Sequence, residues 1–255
     1  MKVGIFETSE EASRVGAEQI ISLLEKKPGA TLGVATGSTP DGLYAYLRAA
    51  YKEGRFTLAD SKAFALDEYV GIDPDHPEAY RNVLRRQLVG FTGLTEENLH
   101  TPNGQAADPD AAAAEYDQSI KDAGGVDLQI LGIGADGHVG FNEPGISLAS
   151  RTHRDALAPQ TIRDNARFFD DNEAKVPRAC LTQGIGTIME ARQLLLLAFG
   201  ENKAEAVKQL VEGAISSRWP ATILQAHPSV TVLVDEAAAS KLELVDLYRA
   251  RWDLD

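Results

Sequence analysis

Short apolar runs alternate with helix-spaced apolar positions along this chain, and that alternation most constrains its fold. Val3 to Phe6, Ala30 to Ala35, Lys62 to Leu66, Val126 to Leu131, Leu194 to Phe199 and Val230 to Val234 read as strands. Between them, Ala12, Val15, Ile20, Leu23 and Leu24 mark one helix face, as do Leu43, Tyr44, Leu47 and Tyr51. Tyr80, Val83, Leu84 and Leu88 give a third face, Tyr116 and Ile120 a fourth, and Ala204, Val207 and Val211 a fifth. Gly124-Gly125 should end the fourth helix. The strands are nearly continuous in apolar residues, as strands covered on both faces must be. The expected fold class is α/β: a mainly parallel sheet with right-handed crossovers and helices on both faces.

Composition narrows the function classes. With 44% hydrophobic and 25% charged residues the chain is globular in character. A net charge of −13 without a basic cluster argues against nucleic acid and anionic membrane as partners. The longest apolar run, Leu194 to Phe199, is far too short to span a bilayer. The first residues, Met1 to Phe6, read as a strand rather than a signal peptide. The single cysteine, Cys180, allows neither an intrachain disulfide nor a multi-cysteine metal site. A cytoplasmic location is the simplest expectation.

Parallel sheets bind ligands outside the carboxyl ends of their strands, so the segments that follow the strands carry the chemistry. After the second strand, Gly37-Ser38-Thr39-Pro40 offers small residues, two hydroxyls and a helix start, the parts of an anion cradle. Thr39 is the expected N-cap and Pro40 the first helical residue. No Gly-Lys-Ser/Thr follows, which excludes a Walker A loop. After the third strand stand Asp67 and Glu68; extended backbone turns such neighbours to opposite sides, one catalytic and one structural. After the fourth strand, the run from Gly132 to Pro144 matches a dinucleotide fingerprint only formally. Gly140, Asn142, Pro144 and Gly145 break the helix that fingerprint must open. It reads better as a glycine-rich loop gathering Asp136, His138 and Glu143. A histidine between two carboxylates has a fixed tautomer and a raised pKa, which suits proton exchange with a sugar oxygen.

A metal site competes for the same residue types. His76-Pro77-Glu78 mimics the start of a zinc deaminase signature, but the Pro-Cys-x-x-Cys half and any His-Glu-x-x-His are absent, so no metal is expected. His100, His153 and His227 are expected at the surface or in caps. Arg167 and Lys203, each a solvated charge when taken alone, matter if a phosphate sits at the strand ends.

Together these stretches resemble the glucosamine-6-phosphate isomerase (deaminase) family. The resemblance is carried in order by Ala35–Pro40, Leu66–Gly71, Gly132–His138, Phe141–Pro144, Leu148–Thr152, Ala166–Phe169 and Leu181–Thr187, and runs nearly the full chain. It implies a Rossmann-like sandwich forming a single domain over 1–255, and conversion of glucosamine 6-phosphate and water to fructose 6-phosphate and ammonia without cofactor or metal. It further implies Asp67 as the base between C2 and C1, and His138 as the ring-opening acid/base, oriented by Asp136 and Glu143. The phosphate would be held by Gly37, Ser38, Thr39, Arg167 and Lys203. Allosterically activated hexameric members carry basic residues after the Leu-Ala-Ser-Arg-Thr stretch, for the phosphate of N-acetylglucosamine 6-phosphate. Here His153 and Asp155 stand there, and Ile146 replaces a usual serine. The resemblance therefore implies an enzyme not activated by that sugar, as a monomer or small homo-oligomer.

The nearest rival is a 6-phosphogluconolactonase-type hydrolase, whose Asp-Gly-His loop continues Ser-Leu-Phe-Pro where this chain has Phe141-Asn142-Glu143-Pro144. Galactosamine 6-phosphate is a rival substrate, and a non-catalytic sugar-phosphate-binding regulator a rival class. The polar segment 158–177, with Phe168-Phe169 inside it, reads as a lid over the site or a long surface excursion.

Overall fold

A computed structural model describes residues 1–254. Among these residues ten strands form two sheets. β1 (Lys2–Phe6), β2 (Leu32–Val34), β3 (Ala63–Ala65), β5 (Leu99–His100), β6 (Leu128–Leu131), β9 (Leu194–Ala198) and β10 (Val230–Asp235) make a seven-stranded sheet in the order β1-β10-β9-β6-β2-β3-β5. Every neighbouring pair in it is parallel. β4 (Asp67–Tyr69), β7 (His153–Ala156) and β8 (Ala179–Thr182) make a small antiparallel sheet in the order β4-β8-β7.

The helices are α1 (Ser9–Lys26), α2 (Asp41–Lys52), α3 (Tyr80–Leu88), α4 (Pro109–Asp122), α5 (Pro159–Asn165), α6 (Ile185–Met189), α7 (Ala204–Glu212), α8 (Glu236–Ala239) and α9 (Val245–Trp252). Apolar spacing explains the longer ones. In α1, Ala12, Ile20 and Leu24 are buried on the face that lies against β9, β10 and α2. In α2, Leu43, Tyr44 and Leu47 are buried, and the helix lies against α1 and α3. Thr8 caps α1 through Glu11 N–H, and Asp108 caps α4 through the amides of Asp110 and Ala111. The glycine pair ends α4 as expected: Gly125 N–H reaches back to the Ile120 carbonyl. The strands β9 and β6 are buried at every position, which a sheet covered on both sides requires.

Topology places the site. From β2 the chain steps outward through β3 to β5, then returns to the other side of β2 at β6 and continues through β9 and β10. The order reverses between β2 and β6, so their carboxyl ends open a crevice there. At the same edge the chain leaves the large sheet for the small one. Leu66 makes the transfer: its N–H bonds the Val34 carbonyl of β2, and its carbonyl accepts from Gln183 just past β8. Asp67, the next residue, pairs with Thr182 in the small sheet. A second apolar cluster lies beneath that sheet, built from Tyr69, Phe141, Leu157, Ile162, Phe169 and Cys180 among others. It is separate from the main core, and it seats α5.

Three expectations need correction. Thr39 is not the cap of α2: the helix starts at Asp41, Pro40 occupies the cap position, and no side chain caps it. His227 is not a surface residue; it is buried, with its ring nitrogens on the carbonyls of Ser229 and Ala191. His100 is half-buried and stacked on Phe64 at 4.6 Å. The small sheet, β5, α5, α6, α8 and α9 lay outside the expected elements.

Candidate active site

The switch-point crevice is a cleft of about 960 Å³. Asp67, His138, Gly37, Ser38, Thr39, Arg167 and Lys203 all line it. They come from five separate stretches: the turns after β2, β6 and β9, the first residue of β4, and the segment that follows α5. Asp136 and Glu143 do not line the cleft; they stand behind His138.

Asp67 and Glu68 part as neighbours on extended backbone must. Glu68 accepts from the backbone amides of Tyr69, Tyr80 and Arg81, and so caps the start of α3. Asp67 turns into the cleft and is 7% exposed. Among the described residues nothing donates a hydrogen bond to its carboxyl group. Burial, with the charge of Glu68 beside it, raises its pKa to about 8 against the pull of the His138 cation.

His138 has the opposite surroundings. Its Nδ1 lies 2.8 Å from Asp136 Oδ1 and 3.5 Å from Glu143 Oε2. Burial lowers its pKa, but the two carboxylates outweigh burial and raise it to about 9. Asp136 is correspondingly held below the usual carboxylate range: the hydrogen bond and charge of His138 overcome its own burial. Both carboxylates engage Nδ1, which leaves Nε2 for a ligand in the cleft. Gly134 permits this arrangement, because a Cβ there would lie 2.3 Å from the imidazole ring. The three donor atoms of Asp136, His138 and Glu143 fall within 4.8 Å of one another, the one set of three among the described residues spaced to hold a cation.

The other end of the cleft is positive. Gly37 has φ +87°, a left-handed turn that favours glycine, and the loop leads directly into α2, whose first amides are free of a side-chain cap. The Tyr44 hydroxyl pins the loop's base, donating to the Ala35 carbonyl and accepting from its amide. Arg167 stacks on Phe168 at 4.6 Å, and neither Arg167 nor Lys203 has an ion-pair partner among the described residues. Burial lowers the pKa of Lys203 against the pull of Asp164 and Asp136, and repulsion from Arg167 adds to the lowering. Two cations close together, neither in a salt bridge among the described residues, beside a helix start without a side-chain cap, are features that favour an anion.

Segment 158–177 borders the cleft with both a helix and a turn. Phe169 packs edge-on against Tyr69 and stacks on His76. That contact, with the Glu78 amide donating to His76 Nδ1, gives the His-Pro-Glu stretch a structural task. Two polar latches were not legible in the sequence. Thr161 donates to Glu143 at 2.6 Å, and Asn165 donates to the Tyr69 hydroxyl at 2.8 Å. Each partner is distant in the chain, and neither threonine nor asparagine stands out by type.

A parallel α/β sheet whose cleft holds a buried carboxyl group and an imidazole at one end, and two cations beside a helix start at the other, has the layout of a class: enzymes acting on small phosphorylated metabolites. The comparisons sharpen it. The family described as glucosamine-6-phosphate isomerases/6-phosphogluconolactonase matches residues 7–233, and the chain belongs to that family. Glucosamine-6-phosphate deaminases of Beutenbergia cavernae and Mycolicibacterium smegmatis are each 53% identical to it over 249 residues, covering 98% of this chain and 95% of theirs. A solved monomeric glucosamine-6-phosphate deaminase superposes with a TM-score of 0.91 at 41% identity, covering 94% of this chain and 99% of the other. The 6-phosphogluconolactonase from Trypanosoma cruzi shares the fold at a TM-score of 0.75 and 20% identity. Among the described residues no helix is long and apolar enough to cross a membrane.

Proposed function

We propose that the protein is an enzyme that converts glucosamine 6-phosphate and water to fructose 6-phosphate and ammonia. The observation that carries this reading is the shared cleft: Asp67 and His138 face the same space as an anion cradle formed by the Gly37–Thr39 turn, Arg167 and Lys203. The deaminase names of its close relatives give that geometry a substrate.

In this reading the phosphate anchors the sugar, and its binding energy positions the reacting carbons. His138, held as imidazolium by Asp136 and Glu143, gives a proton from Nε2 to the ring oxygen and recovers one from the C1 hydroxyl. The pyranose opens to the aldehyde. The Asp67 carboxylate then takes the C2 proton, leaving the enolate of the amino aldehyde, and returns that proton to C1 while the nitrogen passes one to O1. The product is a C2 imine, to which water adds; the carbinolamine expels ammonia and leaves the ketone. A carboxyl group with a raised pKa is a strong base once ionised, which suits a weakly acidic C–H. No step calls for a metal or an organic cofactor.

The pH dependence follows from signs. Asp67 works only after losing its proton, so kcat/KM rises with pH through about 8. His138 works only while it holds one, so activity falls again above about 9. The expected profile is a narrow alkaline bell.

The histidine loop continues into Phe141-Asn142-Glu143-Pro144, and Glu143 is the second carboxylate on His138, which supports a deaminase over a lactonase. The chain is read as a monomer or small homo-oligomer that needs no activating sugar phosphate, with 158–177 closing over the bound sugar. Ammonia release from glucosamine 6-phosphate and galactosamine 6-phosphate, with the opening of 6-phosphogluconolactone followed separately, tests the assignment. Ammonia from an amino sugar phosphate supports it. Lactone hydrolysis alone, or binding without turnover of any of the three, overturns it.

A further inference from the structure

The two oxygens of Glu143 have different company. Oε2 faces His138 Nδ1 at 3.5 Å, while Oε1 accepts the 2.6 Å hydrogen bond from Thr161 Oγ1. Thr161 is buried on α5, and its hydroxyl is the only one among the described residues that reaches this carboxylate. Ile162 beside it packs into the second apolar cluster, as does Ala166 one turn on, so the position of the hydroxyl is set by how α5 is seated. A glutamate carboxylate turns easily about its last torsion. At 3.5 Å the contact with His138 is too long to fix that torsion by itself.

We propose that Thr161 is a positioning residue for His138: its hydroxyl holds Glu143 with one oxygen turned to the imidazole, so that the proton affinity of the ring depends on α5 being seated. The inference rests on the proton-transfer role given to His138 above. It ties the lid to the acid: a raised α5 would withdraw the hydroxyl, free Glu143 and weaken the imidazolium, and a seated α5 would restore it over bound sugar. The charged groups facing the ring are Asp136 from its own loop, Glu143 beyond it and Asp67 from β4, while Lys203 faces Asp136 from the turn after β9. Thr161 touches one of these, so its loss changes one term and spares the others.

The test reads the ring directly. Histidine-labelled protein is titrated by NMR, with the His138 signal assigned by its absence in His138→Gln. In Thr161→Val, and in the smaller Thr161→Ala should valine fold poorly, the His138 midpoint falls by about half a unit to one unit. With glucosamine 6-phosphate, kcat drops roughly 3- to 10-fold while KM stays within about twofold. Thr161→Ser restores both. In a Glu143→Gln background Thr161→Val adds no further shift. A wild-type midpoint in Thr161→Val and Thr161→Ala overturns the proposal, whatever their melting temperatures, because docking of α5 alone would then be the whole task of Thr161. An additional shift in the Glu143→Gln background, or a serine variant no better than valine, overturns it as well. The titration needs no substrate, so it still reads this coupling if the wild-type protein proves inactive on glucosamine 6-phosphate.

Discussion

Asp67 and His138 share a cleft, and both keep a proton to unusually high pH, for opposite reasons. Asp67 is isolated: buried, without a hydrogen-bond donor, beside the negative Glu68. His138 is accompanied, with two carboxylates on one ring nitrogen. Isolation disfavours a charge and keeps the acid neutral; company favours a charge and keeps the base protonated. In the proposed mechanism this contrast supplies a strong base and a ready acid in one site, by withholding partners from one group and supplying them to the other.

Substituting the isolated group gives the largest effect. Asp67→Asn removes the base and is expected to cost about 10²- to 10⁴-fold in kcat, while equilibrium binding of glucosamine 6-phosphate persists through the cradle. Stability should move the other way. The folded-state pKa of Asp67 lies above its unfolded value, so its stabilising contribution is complete at low pH and is lost as pH rises toward about 8. The asparagine carries no charge to desolvate. Its melting temperature at pH 9 is therefore expected to exceed that of the wild type, and the gap should shrink toward pH 5. Thermal denaturation across that range checks the sign; a variant less stable than wild type at pH 9 would mean that Asp67 is not isolated in solution.

Removing company from His138 comes next. Asp136→Asn deletes the closer carboxylate, at 2.8 Å. The alkaline limb of kcat/KM is expected to move down by about one unit or more, with activity at pH 8 reduced roughly 10-fold. The acid limb, set by Asp67, should stay near its wild-type position. Steady-state rates from pH 6 to 10 separate the limbs. If both move together, the two groups titrate as one coupled pair and the contrast between them dissolves.

Lys203→Met perturbs neither setting directly and should be milder. It removes one of two cations from the phosphate end, so KM for glucosamine 6-phosphate is expected to rise about 10-fold with kcat changed less and both pH limbs retained. A collapse of kcat with KM unchanged would place Lys203 in the chemistry rather than in anchoring.

Much of this contrast was legible in the sequence, and what was not has physical reasons. Six of the seven strands of the large sheet show themselves because buried parallel strands must be apolar on both faces, as Leu194 to Ala198 are; β5, two residues of which one is a histidine, does not. The site residues show themselves because topology sends them to the carboxyl ends. The small sheet does not: Asp67–Tyr69 and His153–Ala156 carry four charged residues in seven, and no run of apolar side chains marks them. The cap of α2 was misplaced because Thr39-Pro40 satisfies the local preference, while in the fold the loop turns once more before the helix starts. Thr161 and Asn165 escaped because their partners lie 18 and 96 residues away. Local pattern reports what a residue does for its own element; a latch between elements leaves no such trace.

The smallest expected effect is none. If isolation sets Asp67 and company sets His138 within the single chain, no second ligand is needed to set them. The strand that would receive an activating phosphate supports this. On β7, His153 Nδ1 is 2.8 Å from the Arg151 carbonyl oxygen and Nε2 is 3.6 Å from Asp155 Oδ2. Arg151 is committed to Asp117 at 2.6 Å and to Glu190 at 2.6 Å. A phosphate arriving there would meet the Asp155 carboxylate and an arginine already neutralised, and would have to break those pairs to bind. Ile146, packed against the main core, offers no hydroxyl. Initial rates are therefore expected to follow a hyperbola in glucosamine 6-phosphate, unchanged by N-acetylglucosamine 6-phosphate at millimolar concentration. Sigmoidal rates that the acetylated sugar makes hyperbolic would show that the acid and base are set from a distance, and the account of two groups fixed by their immediate neighbours would have to give way.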